Sequence, residues 1–415
     1  MHLSVRLKSS LIGFLLLFTI FIFSSCQDNE TGAGDDDDAG SDLPTSMPFK
    51  SGFSDDNQIS IQDRYWPPYK RGPYAVGVTT IYLTDPDRWE MWGLRYRTLP
   101  LEIWYPSTGN GGTVNGLPDM IGALPDWGLP VLQAVYGDKF EELWSIQTSA
   151  LRDAEWAPSN EPYPVLLFSH GLTAIRFQNY TMCEHLASHG FVVVAPDHYG
   201  NAVFVNLPEE AVIFFNPLTF VTSAFDRPSD VKFIYDELQN MTMEDQDFWQ
   251  PRLDLSRFAV FGHSYGGFTC LEVGPWNDFV QAIAPINPAW IDWYPPNFSK
   301  PFFLLQSAHD SIVGITNPAV KDVFDQAASD DKLYINLLNG GHYNATDACT
   351  LLPPSLEMSP STGCDGSQID PARANMIVGS YLTAFFKTEL VGDGRYDAYL
   401  HENHFPDDID FFTTW

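Results

Sequence analysis

Gly262-His263-Ser264-Tyr265-Gly266 lies between an apolar segment with the pattern of a β-strand, residues 257–261, and a helical pattern that begins at Tyr265. A Gly-x-Ser-x-Gly sequence in this context is typical of a nucleophile elbow, a turn so tight that its serine adopts a strained backbone conformation. Glycine is needed on either side of the serine because larger side chains there would collide with neighbouring segments. The pentapeptide therefore predicts Ser264 as a nucleophile.

Short apolar runs alternate with longer helical patterns from residue 76 onward, which indicates a sheet covered by helices. Eight strands are predicted at residues 77–84, 99–105, 165–169, 191–195, 258–262, 281–286, 302–306 and 333–338. Helices are predicted at residues 178–189, 230–240, 265–273, 319–328 and 371–387. Several strands are apolar on both faces, as parallel strands buried on both sides are. We therefore predict an α/β-hydrolase fold with a mostly parallel central sheet of about eight strands and helices on both faces.

A serine hydroxyl becomes a strong nucleophile only when a base takes its proton, and an imidazole must supply that base. His342 follows the predicted strand 333–338 on a glycine-containing loop, which places its ring at the carboxyl edge of the sheet beside the elbow. We predict His342 as the general base. Three other histidines follow Ser264 without such a strand before them: His309, His401 and His404.

The acid that orients the histidine is predicted to be Asp310, on the loop after the strand 302–306. There its carboxylate could accept a hydrogen bond from the His342 ring and fix the tautomer of the imidazole. Asp197-His198, after the fourth strand, is interpreted as structural. Weaker candidates for the acid are Asp292, Asp322 and Asp347.

A tetrahedral oxyanion needs two N–H donors, one from the residue after the nucleophile and one from the loop after the third strand. Tyr265 supplies the first donor. The loop reads Phe168-Ser169-His170-Gly171-Leu172, and its Leu172 N–H is the predicted second donor. His170 is interpreted as a residue that structures this loop and takes no proton.

The motifs together resemble the platelet-activating-factor acetylhydrolases over about residues 72–390. The resemblance is carried by the run Tyr-Pro-Val-Leu-Leu-Phe-Ser-His-Gly-Leu at 163–172, by Leu-Ala-Ser-His-Gly-Phe-Val-Val at 186–193, by the entry segments 72–77 and 101–106, and by the elbow with Gly267. It implies a calcium-independent hydrolase of short or oxidised acyl chains of phospholipids, without metal or cofactor.

One position departs from that family, in which an aspartate follows the sixth strand, because the matching residue here is Asn287. An amide carries no negative charge with which to stabilise an imidazolium, so the acid must come from elsewhere. The region 302–342 resembles the bacterial cutinases and dienelactone-hydrolase relatives, in which the acid follows the later strand, and this agrees with Asp310. Dienelactone hydrolases use a cysteine nucleophile, so Ser264 argues against their reaction.

The amino terminus has the pattern of an export signal. Arg6 and Lys8 precede an apolar run, residues 11–23, that is short for a permanent membrane helix and ends in Ser24-Ser25-Cys26. Small residues before a cysteine resemble a bacterial lipobox, although Phe23 departs from the usual leucine. Residues 1–25 are therefore predicted to be a lipoprotein signal peptide and Cys26 a lipid attachment site in the bacterial cell envelope, with simple secretion and an uncleaved anchor as the alternatives.

After Cys26, residues 26–63 are predicted to form a flexible acidic tether, since they begin with few apolar residues to bury. The catalytic domain is predicted at residues 64–390, with a carboxyl-terminal extension at 391–415. Two aromatic-rich insertions, at about 107–162 and 199–227, could cover the site. Five phenylalanines of the second insertion could line an acyl pocket, but core packing is favoured for most of them: Phe204, Phe214, Phe215, Phe220 and Phe225.

The charge composition of the chain restricts the kinds of molecule that it can bind. The formal net charge of -31 repels nucleic acid and favours a neutral or zwitterionic substrate.

The four cysteines after Cys26 are assigned from their surroundings. Cys349 and Cys364 flank a short loop and are predicted to form a disulfide, whereas Cys183 and Cys270 are predicted to be packed thiols. No cysteine or histidine spacing suggests a metal site.

These observations predict an exported serine hydrolase of small or lipid-derived esters. The alternatives left open are a polyester or cutinase-like hydrolase, a peptidase of the same fold and a non-catalytic binding protein.

Overall fold

The computed structural model describes residues 64–90, 93–208, 211–243, 252–289, 298–353 and 362–415. The predicted signal peptide, Cys26 and the tether lie outside this part of the chain, so the structure does not bear on them. Residues Tyr65–Trp415 form one compact unit. Within the described ranges, no helix is both long and apolar enough to cross a membrane.

The described residues contain an eleven-stranded sheet and a separate two-stranded hairpin. The strands are β1 Ala75–Glu90, β2 Arg95–Ser107, β3 Thr113–Gly116, β4 Gln147–Arg152, β5 Tyr163–Ser169, β6 Val192–Pro196, β7 Phe204–Leu207, β8 Ala211–Phe214, β9 Leu253–His263, β10 Val280–Ile286, β11 Phe302–Ser307, β12 Lys332–Leu337 and β13 Ile409–Thr413. The sheet order is β13-β12-β11-β10-β9-β5-β6-β2-β1-β4-β3, and the hairpin pairs β7 with β8.

The centre of this sheet, from β6 through β5 and β9 to β12, is parallel. All seven residues of β5 and all five of β6 are buried, which is the burial expected of parallel strands with a layer on each face. The predicted α/β-hydrolase fold is confirmed. Toward the edges most pairs are antiparallel, β2 with β1 and β6, β3 with β4, and β12 with β13, whereas β1 pairs with β4 in parallel.

Helices cover both faces of the sheet. They are α1 Leu117–Ile121, α2 Gly128–Tyr136, α3 Phe140–Trp144, α4 Tyr180–Ser188, α5 Phe220–Met243, α6 Tyr265–Val273, α7 Asn317–Gln326, α8 Ala348–Leu351, α9 Pro371–Phe386 and α10 Gly394–Leu400. On one face Phe261 shares a buried cluster with Leu186 of α4 and Phe385 of α9. On the other face Phe258 packs edge-on against Tyr235 of α5.

The sheet has eleven strands, three more than predicted, because it includes three segments in which the sequence pattern did not predict a strand. β3 and β4 come from the first insertion, and β13 lies in the residues predicted to be an extension beyond the catalytic domain. All three strands are short and lie at the two edges of the sheet, where fewer apolar residues are needed. The compact unit accordingly continues to Trp415.

The second insertion also differs from expectation. It contains the β7–β8 hairpin, and from Phe220 onward it belongs to α5, which begins ten residues before the predicted helix start. Pro228 lies inside α5, and an internal proline is usually read as a helix boundary.

Core packing, favoured for most of the five phenylalanines of this insertion, holds for Phe204, which packs against the buried core cluster, but not for most of the set. Phe214 and Phe225 are exposed by 51% and 64%, and the remaining three are only partly buried.

The cysteine predictions are confirmed. Cys349 and Cys364 form a disulfide, and Cys183 and Cys270 are buried free thiols.

Candidate active site

Ser264 forms the turn between β9 and α6, with φ 56° and ψ -117°. A side chain at its flanking glycines would not fit, because a Cβ atom at Gly266 would lie 1.8 Å from the Ser169 carbonyl oxygen. The turn is held from outside, since Ser264 N donates to the Ile286 carbonyl oxygen over 2.9 Å. Close packing of three strand ends therefore enforces a backbone conformation that a serine would not adopt alone.

His342 and Asp310 meet at the same edge of the sheet, on the loops after β12 and β11. His342 Nδ1 lies 2.7 Å from Asp310 Oδ2, and both side chains are buried. The two loops are also joined by their backbones, because His309 N donates to the Gly340 carbonyl oxygen over 2.9 Å. The structure thus brings together the histidine and the acid that the sequence singled out.

The other oxygen of the Asp310 carboxylate is held by the backbone. Asp310 Oδ1 accepts hydrogen bonds from Ile312 N and Val313 N, each over 2.9 Å. Burial would raise the pKa of this carboxyl, but the charge and hydrogen bond of His342, together with the two N–H groups, bring its pKa below the usual value. Asp310 is therefore fixed in the charged form that stabilises an imidazolium.

The backbone of His342 is hydrogen-bonded to the elbow and to the loop after β10. Its carbonyl oxygen accepts one hydrogen bond from His263 Nε2 over 2.8 Å and another from Asn287 Nδ2 over 3.1 Å. Asn287 has φ 40° and follows β10, where the acetylhydrolases place their acid. In this chain the position therefore holds the histidine loop through an amide and carries no charge.

The predicted oxyanion donors lie at the ends of two neighbouring strands, β5 and β9. Leu172 follows β5, and its N–H donates to no acceptor within the described ranges. Tyr265 is the first residue of α6, so its N–H has no acceptor within the helix. The adjoining Gly171 N–H, by contrast, is occupied, because it donates to Gln178 Oε1 over 2.8 Å. Two N–H groups are thus left for a developing negative charge.

Gln178 and His263 are residues of this site that the sequence analysis missed. Gln178 Nε2 lies 2.8 Å from His263 Nδ1, so one amide links the oxyanion loop to the residue before the nucleophile. Because that amide donates, His263 carries its proton on Nε2 and donates it to His342. Burial and the nearby His342 lower the pKa of His263 to about 3. Only the position of His263 inside the elbow could have signalled this role.

The remaining histidines are not arranged as bases. His170 Nδ1 lies 2.6 Å from the Gly171 carbonyl oxygen, and its Nε2 accepts from His198 N. Burial and the positive charge of Arg227 hold the pKa of His170 well below its usual value, as suits a neutral residue that structures its loop. His401 pairs with the exposed Asp397, and His404 stacks on Tyr399.

The rival carboxylates lie elsewhere or outside the described residues. Asp322 is exposed on α7, and Asp292 falls in the gap between residues 289 and 298. Asp347 accepts a hydrogen bond from Thr181 N at the start of α4 over 2.8 Å. Burial raises its pKa to about 7, which does not suit an acid that must stay charged. Within the described ranges, no cluster of three or more His, Cys, Asp or Glu side chains could hold a metal ion.

Two family models match overlapping parts of the chain. Residues 59–207 match the model of platelet-activating factor acetylhydrolase, isoform II, and residues 159–355 match that of PET hydrolase-like proteins. The first range contains the oxyanion loop, and the second contains the elbow, Asp310 and His342. The resemblance to acetylhydrolases with cutinase-like features is confirmed.

Individual relatives agree with both models. Cutinase est1 of Thermobifida alba is 23% identical over 242 residues, which are 58% of this chain and 65% of that protein. Platelet-activating factor acetylhydrolase of Cavia porcellus is 26% identical over 247 residues, 49% of this chain and 51% of that protein. The chain thus spans less than two thirds of the length of either relative. A ferulic acid esterase from Streptomyces cinnamoneus has the same fold, with a TM-score of 0.66, 23% identity, and coverage of 82% of this chain and 96% of that one.

Proposed function

We propose that this chain is an exported serine carboxylic-ester hydrolase that cleaves short-acyl esters, with Ser264 as nucleophile, His342 as general base and Asp310 as the orienting acid. One observation carries the proposal: the strained Ser264 after β9 and the buried His342–Asp310 pair after β12 and β11 lie at the same edge of the sheet and are joined through His263. The names of the relatives, which are cutinases, acetylhydrolases and a ferulic acid esterase, support ester hydrolysis.

In the first half of the reaction, Ser264 Oγ attacks the ester carbonyl carbon while His342 Nε2 takes the hydroxyl proton. Asp310 keeps the other proton of the ring on Nδ1 and stabilises the imidazolium that forms. The carbonyl oxygen becomes an oxyanion that accepts from the N–H groups of Leu172 and Tyr265. When the tetrahedral intermediate collapses, His342 gives its proton to the leaving alcohol, and the acyl group stays on Ser264.

In the second half, His342 takes a proton from a water molecule, and the resulting hydroxide attacks the acyl carbon of the acyl-enzyme. The same two N–H groups bind the second oxyanion. Collapse releases the carboxylic acid, and the proton returns from His342 to Ser264 Oγ. Each step uses side chains and backbone groups of the chain itself, so no metal or cofactor is required.

The proposed substrates are small neutral or zwitterionic esters, including short-acyl esters derived from phospholipids. The net charge of -31 opposes the approach of strongly anionic substrates. The match of residues 59–207 to the platelet-activating factor acetylhydrolase model supports a short acyl chain. A polyester or cutinase-like activity is the second candidate, favoured by the match of residues 159–355 to PET hydrolase-like proteins.

A fluorophosphonate probe tests the proposal directly, because it reacts with serines that are activated as nucleophiles. We expect stoichiometric labelling, with the adduct located on Ser264 by peptide mass spectrometry. A panel of p-nitrophenyl esters of increasing chain length should then give the highest kcat/KM for the shortest acyl groups. Absence of both labelling and hydrolysis would identify a binding protein, and a preference for long chains or polyester film would favour the second candidate.

We further propose that residues 1–25 direct export and that Cys26 carries the lipid anchor, on the strength of the lipobox-like pattern before Cys26. In a bacterial host fed an alkyne-tagged fatty acid, the wild-type chain should incorporate the tag and partition into detergent. Cys26→Ala should carry no tag and accumulate as a soluble or unprocessed product. Cys183→Ala, which removes a buried thiol, is the matched control and should keep the tag. Unchanged tagging and partitioning of Cys26→Ala would refute the lipid anchor.

A further inference from the structure

Arg227 lies beneath the oxyanion loop with only 1% of its surface exposed. It belongs to α5, in the segment first read as an insertion. Its guanidinium donates to the carbonyl oxygens of His170 and Gly171, the latter over 3.1 Å, and to Asn201 Oδ1 through Nε over 2.7 Å. The side chain therefore binds the backbone of the very loop that supplies an oxyanion donor.

These contacts fix the direction of the Leu172 N–H. The Gly171 carbonyl and the Leu172 N–H belong to one peptide group, and in a trans peptide the two point in opposite directions. Arg227 Nη2 and His170 Nδ1 hold the carbonyl on the buried side. The Leu172 N–H must then point away from Arg227, toward the side on which a substrate would lie.

Tyr265, whose N–H is the other proposed oxyanion donor, is also in contact with Arg227. The guanidinium carbon lies 4.8 Å from the centre of the Tyr265 ring, a cation–π distance. The Tyr265 hydroxyl lies 2.8 Å from Ser223 Oγ, on the same helix as Arg227. One buried side chain thus contacts the ring of Tyr265 and the Gly171 carbonyl of the peptide group that carries the Leu172 N–H.

The charge of Arg227 is poorly neutralised by its surroundings. Its hydrogen-bond acceptors are neutral oxygens, and it makes no ion pair in the described part of the chain. The nearby Asp230 is already engaged, because Arg97 binds both of its oxygens over 2.7 Å and Arg88 and His198 bind it too. A negative charge that develops at the Leu172 N–H would therefore be attracted to a buried cation one peptide away.

We propose that Arg227 is a positioning residue for ester hydrolysis, which aims the Leu172 N–H at the oxyanion and stabilises the oxyanion by its charge. The inference rests on the proposed function. It assigns the reaction a residue that lies outside every motif of the sequence.

The test compares Arg227→Gln with Arg97→Gln on a p-nitrophenyl ester and on the thionoester with the same acyl group. Arg97 is the matched control, because it is a similarly buried arginine but binds Asp230 and Glu90 and no group of the oxyanion loop. A thiolate-like sulfur anion accepts weaker hydrogen bonds than an oxyanion, so the thionoester depends less on the donors. Loss of an oxyanion donor costs about 10²–10³-fold in kcat, and a misaimed donor should cost part of that.

We expect Arg227→Gln to lower kcat for the oxygen ester about 10- to 100-fold with little change in KM, and to raise the thionoester-to-ester ratio of kcat about tenfold. Arg227→Lys keeps the charge but has a single nitrogen in place of the planar fork that binds Asn201 and the two carbonyls, so its ratio should be intermediate. It also serves as the test if the glutamine variant does not fold. Arg97→Gln should lower the melting temperature yet leave the ratio at the wild-type value.

The inference is overturned if the thionoester-to-ester ratio of kcat is unchanged in the folded Arg227 variants. It is also overturned if Arg97→Gln changes that ratio as much as Arg227→Gln does. Failure of the wild-type chain to hydrolyse either ester would instead refute the proposed function, so the two failures are distinguishable.

Discussion

Ser264→Ala is expected to lower the turnover of a short-acyl p-nitrophenyl ester by about 10⁴-fold or more, because no other group can form the acyl-enzyme. The substitution should leave the fold intact. Ser264 Oγ makes no hydrogen bond to another described residue, and alanine is not larger than serine, so the packing of the elbow is preserved. Steady-state kinetics together with thermal denaturation would measure both effects.

Ser256→Ala is the matched control for this prediction. Ser256 lies on the same strand, β9, but its hydroxyl is exposed and donates to Asp254. Its loss should leave turnover unchanged within about twofold, because the Ser256 hydroxyl binds Asp254 of its own strand and no residue of the site. Surface substitutions of this kind usually change the free energy of unfolding by no more than about 0.5 kcal/mol, so the variant should stay folded. A Ser264→Ala protein that kept most of its activity and its fluorophosphonate labelling would remove Ser264 from the mechanism.

The elbow and the central strands were predictable because both depend on local sequence. The turn at Ser264 needs glycine at 262 and 266 for reasons of space, and those residues are visible in the chain. Buried parallel strands such as β5 are apolar throughout, which is a strong pattern. Edge strands such as β13 carry no comparable pattern, because half of their residues face solvent.

The residues that were not predicted act through contacts far apart in the chain. Arg227 meets the carbonyl of Gly171 across 56 positions, and Gln178 meets His263 across 85. Nothing in the local sequence of Arg227 marks it as part of a site, and a proline, which is typical of a helix boundary, follows it inside α5. Only the folded arrangement of α5 against β5 and α6 brings its charge to the oxyanion loop.

The substitution with the second largest expected effect is Asp310→Asn, which should lower turnover by about 10³- to 10⁴-fold at neutral pH. The two backbone N–H groups of Ile312 and Val313 require an oxygen at the position of Oδ1. The amide nitrogen must then face His342 Nδ1, which lies 2.7 Å from the present Oδ2. An amide donates there, so Nδ1 has to accept and the imidazole proton moves to Nε2. A ring with that proton cannot take the proton of Ser264.

Asn287→Ala separates this prediction from the arrangement in the acetylhydrolases, whose acid follows the sixth strand. The variant loses one hydrogen bond to the His342 carbonyl oxygen, worth about 1 kcal/mol, so turnover should fall by about tenfold at most. The His263 hydrogen bond to the same oxygen remains and keeps the loop in place. If Asp310→Asn left turnover nearly unchanged and Asn287→Ala lowered it strongly, another carboxylate such as Asp292 would have to orient His342. The hydrogen bond between His342 and Asp310 would then be structural only.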